Sequence, residues 1–259
     1  MDDIKYEFGD CRELIRDIAS NSVRMMVTSP PYNISKKYGL YGDNLHIGEW
    51  KTMINEVARE AHRVLTPDGS FFMNVSPVPD KKTKEIIPLD SIIYDIFKQN
   101  RFFLRNKIIW HFNNMQNCVN RLSGRWEAIL WFVKDLNNYV FNLDDIRIPV
   151  ITKKDKRIDP NRGRNPTDVW FFNRVNNMTK QKLEITAPCV YPLPMIERIV
   201  KMSTKKKDLV IDPFLGSGTT LVACKRLGRK AIGFEIDPSY KKVIEKRLNI
   251  EASQLSLES

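Results

Sequence analysis

The sequence is short of the residues that build cross-linked or metal-bound proteins. Its 259 residues include four cysteines, Cys11, Cys118, Cys189 and Cys224, with no C-x-x-C pair, and three histidines, His46, His62 and His111. Neither a disulfide framework nor a zinc site is supported, and no metal is expected. No apolar run approaches the roughly 18 residues needed to span a bilayer. The first ten residues, MDDIKYEFGD, are acidic where a secretory leader is basic and then apolar. A cytoplasmic protein with no membrane partner is expected. Positive charge is in excess: 42 Lys and Arg against 31 Asp and Glu give +11, on a chain that is 42% apolar. That apolar fraction excludes disorder as the main state, and the basic balance favours a polyanionic partner.

Two stretches carry the chemistry. DLVIDPFLGSGTT begins with the apolar run Leu209 to Ile211, turns at Asp212-Pro213, supplies Gly216 and Gly218, and leads into LVACKRLG, where Leu221, Val222, Cys224 and Leu227 share one helical face. KAIGFEID follows as a second strand ending in Glu235 and Asp237, before a basic helix from about Pro238 to Leu248. This is a βαβ unit with a carboxylate about twenty positions after the glycines, the spacing at which a strand-end acid reaches ribose hydroxyls. The loop is not G-x-G-x-x-G and has no G-K-[ST], so a nucleoside without phosphates suits it better than a pyrophosphate. At the other end, IKYEFGDCRELIRDI reads as strand, Gly9-Asp10, helix. VRMMVTSPPYN is a strand that runs into two prolines, which cannot continue a ladder, so residues 28–33 should leave the sheet as a rigid loop.

Taken together, TSPPYN at 28–33, DPFLGSGTT at 212–220 and GFEID at 233–237 resemble the DNA amino-methyltransferases of the beta class. GDC at 9–11, SGRWEAILWFVKD at 123–135 and YPLPMIERIV at 191–200 add to the resemblance, which covers nearly the whole chain. It implies an α/β, Rossmann-like class I methyltransferase fold: a mostly parallel seven-stranded sheet with helices on both faces, circularly permuted so that the catalytic motif precedes the cofactor motif. The catalytic and cofactor domain is expected at 1–140 and 184–250, a target-recognition insertion at 141–183, and a flexible tail at 251–259. One departure is TAPCVYP, where Ala187 stands in place of the family's frequent His.

The implied cofactor is S-adenosylmethionine, with S-adenosylhomocysteine as product. On the family pattern Glu235 holds the ribose hydroxyls and Asp10 the adenine amino group, while Asp212, Phe214, Gly216, Ser217, Gly218 and Thr219 surround the sugar and methionine. Ser29, Pro30, Pro31 and Tyr32 form the catalytic loop. An exocyclic amine is a poor nucleophile because its lone pair is delocalised into the ring, and acceptors such as the Ser29 hydroxyl and Pro30 carbonyl free that lone pair. Tyr32 is expected to stack on a base flipped from the duplex. C5-cytosine chemistry needs a cysteine nucleophile; the sole Pro-Cys pair, Pro188-Cys189, reads as a small buried residue instead. Ser at the first motif position is more typical of cytosine-N4 enzymes and Asp or Asn of adenine-N6 enzymes, so cytosine N4 is expected, with adenine N6 as the alternative and a non-catalytic DNA-binding module as a more distant one.

Double-stranded DNA is the expected partner, in a restriction-modification setting with a cognate endonuclease or a second methyltransferase, and the protein as monomer or homodimer. Residues 151–182 carry nine basic and three acidic side chains, more than half of the net charge. Lys153, Lys154, Arg157, Arg162, Arg164 and Arg174 there, with Lys36 and Lys37 in a flap at 34–50, are the expected DNA contacts. This segment should be rich in loops. His46 and His62 read as structural or surface groups, and His111 as the histidine best placed to line a base pocket.

Overall fold

The computed structural model describes residues 3–32, 37–38, 41–42, 45–80, 82–113, 118–150, 162–185 and 190–253, of which 37–38, 41–42 and 251–253 are described as backbone alone. In chain order the strands are β1 (Ile4–Phe8), β2 (Val23–Thr28), β3 (Lys37–Tyr38), β4 (Tyr41–Gly42), β5 (Leu65–Val75), β6 (Val78–Pro79), β7 (Ile86–Ile87), β8 (Phe103–His111), β9 (Trp126–Val133), β10 (Val169–Phe171), β11 (Leu209–Asp212) and β12 (Lys230–Glu235). The helices are α1 (Cys11–Leu14), α2 (Ile47–Val64), α3 (Leu89–Gln99), α4 (Asn177–Lys182), α5 (Leu193–Ser203), α6 (Thr219–Leu227) and α7 (Lys241–Ser253).

Eight strands form one sheet in the order β1-β12-β11-β2-β5-β9-β8-β10. Every neighbouring pair is parallel except the two that β9 makes, with β5 and with β8. β9 therefore runs alone against the rest, and its N-terminus lies at the edge where the other strands end. Seven strands were expected; the eighth, β10, comes from the 141–183 segment, which pairs Val169, Trp170 and Phe171 with Ile109, Trp110 and His111. Trp170 is buried and its indole N–H donates to the Thr167 carbonyl, so this part of the segment is anchored to the sheet rather than being loop. The chain reaches its last strand through α6, and β1, first in sequence, pairs with β12. That pairing joins the chain's two ends in the permuted order.

Both faces of the sheet are covered, which is why strands such as VRMMV and FFMNV read as near-continuous apolar runs. Alternate residues feed opposite cores. Met25, Val27 and Phe72 pack with α5, α6 and α7 through Met195, Ile199, Leu221 and Ile244. Met26, Phe71 and Met73 pack with α2 and α3 through Trp50, Ile54, Ile93 and Phe97. α2 buries Trp50, Met53, Ile54, Val57, Ala58, Ala61 and Val64, a helical stripe, and its start is held by His46, which caps the Gly48 N–H while Glu49 reaches back to the His46 N–H. His62 lies edge-on to Phe102 and burial holds its pKa below the ordinary imidazole value. His46 and His62 thus sit in structural positions. A short 3-10 turn, Pro238–Tyr240, precedes α7, which continues to Ser253, three residues into the expected tail; 254–259 lie outside the described residues.

Candidate active site

The parallel strands all end on one side of the sheet, and the ends of open parallel sheets are where ligands bind. Here the ends of β1, β2, β5, β8, β11 and β12 and the start of β9 surround a cavity of about 530 Å³. That volume lies within the usual range for small-ligand sites. Its walls bring together Ser29, Pro30, Pro31 and Tyr32 of the loop after β2 with Phe214, Gly216, Ser217, Thr219 and Glu235 of the β11–α6–β12 unit. Residues about 200 positions apart in sequence thus share one cavity.

The glycine loop is built tightly. Gly216 and Gly218 have φ of 54° and 84°, a region that side chains disfavour. The Leu215 N–H donates to the Phe234 carbonyl at 2.8 Å, which brings Leu215 so close to β12 that a Cβ on Gly233 would lie 2.6 Å from its methyl groups. From behind, the guanidinium of Arg247, 2% exposed on α7, donates to the Ser217 carbonyl and to the Ser217 and Thr219 hydroxyls at 2.8–3.1 Å. Glu235 Oε2 accepts from the Gly216 N–H at 2.7 Å and Oε1 from the Asp237 N–H at 3.0 Å. Burial raises the pKa of this carboxyl above its ordinary value, against the pull of those two N–H groups. A carboxylate offers about four lone-pair sites, so both oxygens retain capacity for the two hydroxyls of a ribose. Beside it Gly9, Cys11, Phe214 and Ile236 supply a largely apolar wall, and burial drives the Cys11 thiol pKa well up, leaving it neutral. A hydroxyl-rich sugar against an acid, with a flat base against an apolar wall, fits this half of the cavity.

Three residues expected at the cofactor, Asp10, Asp212 and Gly218, are not part of the cavity wall. Asp212, fully buried, accepts from the Thr28 hydroxyl at 2.6 Å, Thr220 hydroxyl at 2.6 Å, Tyr191 hydroxyl at 2.9 Å and Phe214 N–H at 3.1 Å. Burial raises its pKa while those donors act the other way. Its place is a tie between the end of β2, the N-terminal side of α5 and the glycine loop, which fixes the catalytic and cofactor segments relative to each other. Gly218 is the N-cap of α6. Asp10 caps α1 through the Arg12 N–H and pairs with the Arg12 guanidinium, which holds its carboxyl below the ordinary value. Gly9 and Cys11, on either side of Asp10, form the wall at that point.

At the catalytic loop, the Trp50 indole N–H donates to the Pro31 carbonyl at 2.7 Å, so α2 braces the two prolines. Tyr32 is 4% exposed, and its hydroxyl is engaged. It receives the Ser29 hydroxyl at 3.0 Å and Asn74 Nδ2 at 2.8 Å, and donates to Glu127 Oε2 at 2.9 Å. Asn74 Nδ2 also donates to Glu127 Oε2 at 2.7 Å. Arg174 donates to Glu127 Oε1 at 2.9 Å, with its guanidinium 3.9 Å from the Phe112 ring centre. Asn74, Trp110 and Glu127 are cavity residues that sequence reasoning did not single out. His111 is not in the wall; it packs on Phe171, and its neighbour Trp110 lines the cavity, donating to the Phe172 carbonyl.

Of the expected DNA contacts, Arg174 lines the cavity, Arg162 is exposed and paired with Asp144, and Arg164 is exposed with its backbone bonded to Ile148. Lys37 lies in β3. Lys36, Lys153, Lys154 and Arg157 lie outside the described residues, as do Ala187 and Cys189. Among the described residues no group of His, Cys, Asp and Glu is placed to hold a metal, and no helix is long and apolar enough to cross a membrane.

Comparison with known proteins agrees with this geometry. The DNA methylase family model for N6 and N4 enzymes matches residues 23–246. The chain is 33% identical over 98% of its length, and 84% of the relative's, to type II methyltransferase M.ScaI of Streptomyces caespitosus. It is 32% identical over 96% of its length, and 84% of the relative's, to DNA adenine methyltransferase YhdJ of Escherichia coli K12. Among solved structures, the PvuII DNA methyltransferase, cytosine-N4-specific, superposes with a TM-score of 0.77 over 100% of this chain and 94% of its own at 19% identity. TTHA0409 of Thermus thermophilus, solved in complex with S-adenosyl-L-methionine, superposes at 0.68 with 26% identity over 96% of this chain and 94% of its own.

Proposed function

The chain belongs to the DNA methylase family, and from that premise we propose that it methylates the exocyclic amine of a flipped base in duplex DNA, N4 of cytosine, as the modification enzyme of a restriction-modification system. It is a DNA methyltransferase, and S-adenosylmethionine is its cofactor. When bound, the cofactor supplies a methyl group on a sulfonium. The residues that fit it are Phe214, Gly216, Ser217 and Thr219 around the chain and sugar and Glu235 on the ribose hydroxyls.

The chain's own part is to present the amine. Two acceptors on its N–H bonds, the Ser29 hydroxyl and the Pro30 carbonyl, localise the nitrogen lone pair away from the ring. The prolines and the Trp50 bond hold them in advance, so little ordering remains for the bound state. Once methylated, that nitrogen would be acidic enough to give its proton to water, so the chain need supply no strong base. The observation that carries the base assignment is Ser29 itself: a neutral hydroxyl, 3.0 Å from the Tyr32 hydroxyl, heads the loop where the adenine enzymes of the class more often have Asp or Asn. Adenine N6 is the second reading, favoured by the 32% identity to an adenine methyltransferase.

The test is incubation with labelled S-adenosylmethionine and mixed-sequence duplex DNA, digestion to nucleosides and mass spectrometry. N4-methylcytosine is the expected product. N6-methyladenine would overturn the base assignment and leave the fold and chemistry intact; absence of label with measurable cofactor binding would overturn DNA as the substrate.

A further inference from the structure

Glu127 is the second residue of β9, and all six that follow it, Ala128 to Val133, are apolar and buried. A carboxylate 9% exposed in such a strand is unfavourable unless hydrogen-bonded and paired. Its partners come from two parts of the chain. Oε2 is held by Tyr32 and Asn74, from the loop after β2 and the end of β5, while Oε1 is held by Arg174. Arg174 belongs to the 141–183 segment, and it is the cation paired with Glu127 among the described residues. It is seated a second time on the face of Phe112. From Arg174 the chain runs through Asn177 to Lys180 along the cavity wall, and three residues before Arg174 it leaves the edge strand β10. Glu127 is thus the point at which the basic segment meets the catalytic loop.

We propose that Arg174 and Glu127 form a latch through which the 141–183 segment positions Tyr32, so that methyl transfer reaches its full rate only with residues 174–180 seated against the catalytic loop. Both are positioning residues. This rests on the DNA methylation reading for its rate measurement and on geometry alone for the latch itself. It differs in consequence from a phosphate contact by Arg174, which would weaken DNA binding and its salt dependence but leave the rate of the bound complex unchanged.

The experiment compares wild type, Arg174→Met, Arg174→Lys, Glu127→Gln and the Glu127→Gln/Arg174→Met double variant. Single-turnover methyl transfer at saturating DNA, cofactor Kd by calorimetry, and hydrogen exchange of residues 169–182 by mass spectrometry are measured on each. Arg174→Met should slow transfer by about tenfold or more with the cofactor Kd within about twofold of wild type. Lysine, which keeps the charge, should restore most of the rate. The double variant should be no slower than the slower single variant, where independent sites would multiply their losses. Exchange at 169–182 should quicken in both single variants. A rise in KM for DNA with unchanged single-turnover rate, multiplicative losses, or unchanged exchange would each overturn the latch. Should Glu127→Gln fail to fold, the half-exposed Arg174 pair of variants still decides. A wild-type protein that transfers no methyl group to DNA defeats the substrate reading, while the exchange comparison still tests the latch.

Discussion

Replacing Glu235 with Ala probes the cofactor half of the site most directly. In the folded chain its two oxygens accept the Gly216 and Asp237 N–H groups at 2.7 and 3.0 Å, and on the proposed function they also accept both ribose hydroxyls. Hydrogen bonds to a charged group contribute about 1.5–3 kcal/mol each. Loss of two such bonds, partly replaced by water entering the space, weakens binding by about 3 kcal/mol, on the order of 100-fold in Kd. Calorimetry with S-adenosylmethionine and S-adenosylhomocysteine should show the same loss for both, because the ribose is common to them. Thermal unfolding without ligand separates this from loop damage, since the Gly216 and Asp237 N–H groups also lose their acceptor. Glu235→Gln is the informative companion: an amide can accept one of those N–H groups but turns an N–H toward the other, so it too should bind weakly. A Kd within about threefold of wild type in a normally folded Glu235→Ala protein would refute the ribose assignment.

Tyr32→Phe keeps the ring but removes the hydroxyl that joins Ser29, Asn74 and Glu127; turnover should fall several-fold with cofactor Kd unchanged, and equal loss of both would contradict a role confined to the catalytic loop. Gly233→Ala puts a methyl group 2.6 Å from Leu215, which is buried and held by the Phe234 carbonyl, so unfolding experiments should show about 1–3 kcal/mol of destabilisation together with weaker cofactor binding, and an unchanged midpoint would refute the close packing. Because burial raises the Glu235 pKa and hydroxyl donors favour its ionised form, cofactor affinity should fall as pH drops through that raised value, measured by calorimetry across the acid range; a flat profile refutes it. In the free protein the sign reverses: a raised folded-state pKa stabilises below the unfolded value and loses that contribution as pH rises through the folded one. DNA affinity should fall log-linearly with salt, and a flat response in a filter or anisotropy assay would remove the 141–183 segment from the DNA interface.

The sheet was legible because two-sided burial writes itself as apolar runs. VRMMV, FFMNV and AILWFV are each too apolar for a half-solvated strand, and the turn residues Gly9-Asp10, Pro30-Pro31 and Gly216 to Gly218 follow the ends of β1, β2 and β11. β10 was not legible, since three residues, Val169 to Phe171, in a stretch rich in Pro, Asn and Arg carry too little periodicity to register. Its strand character comes from outside, from the free edge of β8 and the burial of Trp170. The position of Asp10 was legible too, at the strand-to-helix turn, but its partner was not. A carboxylate at the start of a helix with Arg two residues on has a local cap and ion pair available, and those claim it in the folded chain.

The buried polar residues around the site share a property that sequence does display. Thr28, Asn74, Glu127 and Asp212 each interrupt, or end, a strand whose other buried positions are mostly apolar, and all four are themselves buried. A polar group in such a place is unfavourable unless it has partners, so each interruption marks a point where another segment must come to meet it. What sequence alone does not display is which segment comes. Thr28 meets Asp212 across β2 and β11, and Asn74 and Glu127 meet Tyr32. These pairs are 184, 42 and 95 positions apart, and they link the catalytic loop on one side to the glycine loop and on the other to the basic segment. The buried polar exceptions therefore trace the joints of the site, while Ser29 to Tyr32, Gly216 and Ser217 line the space that those joints hold open.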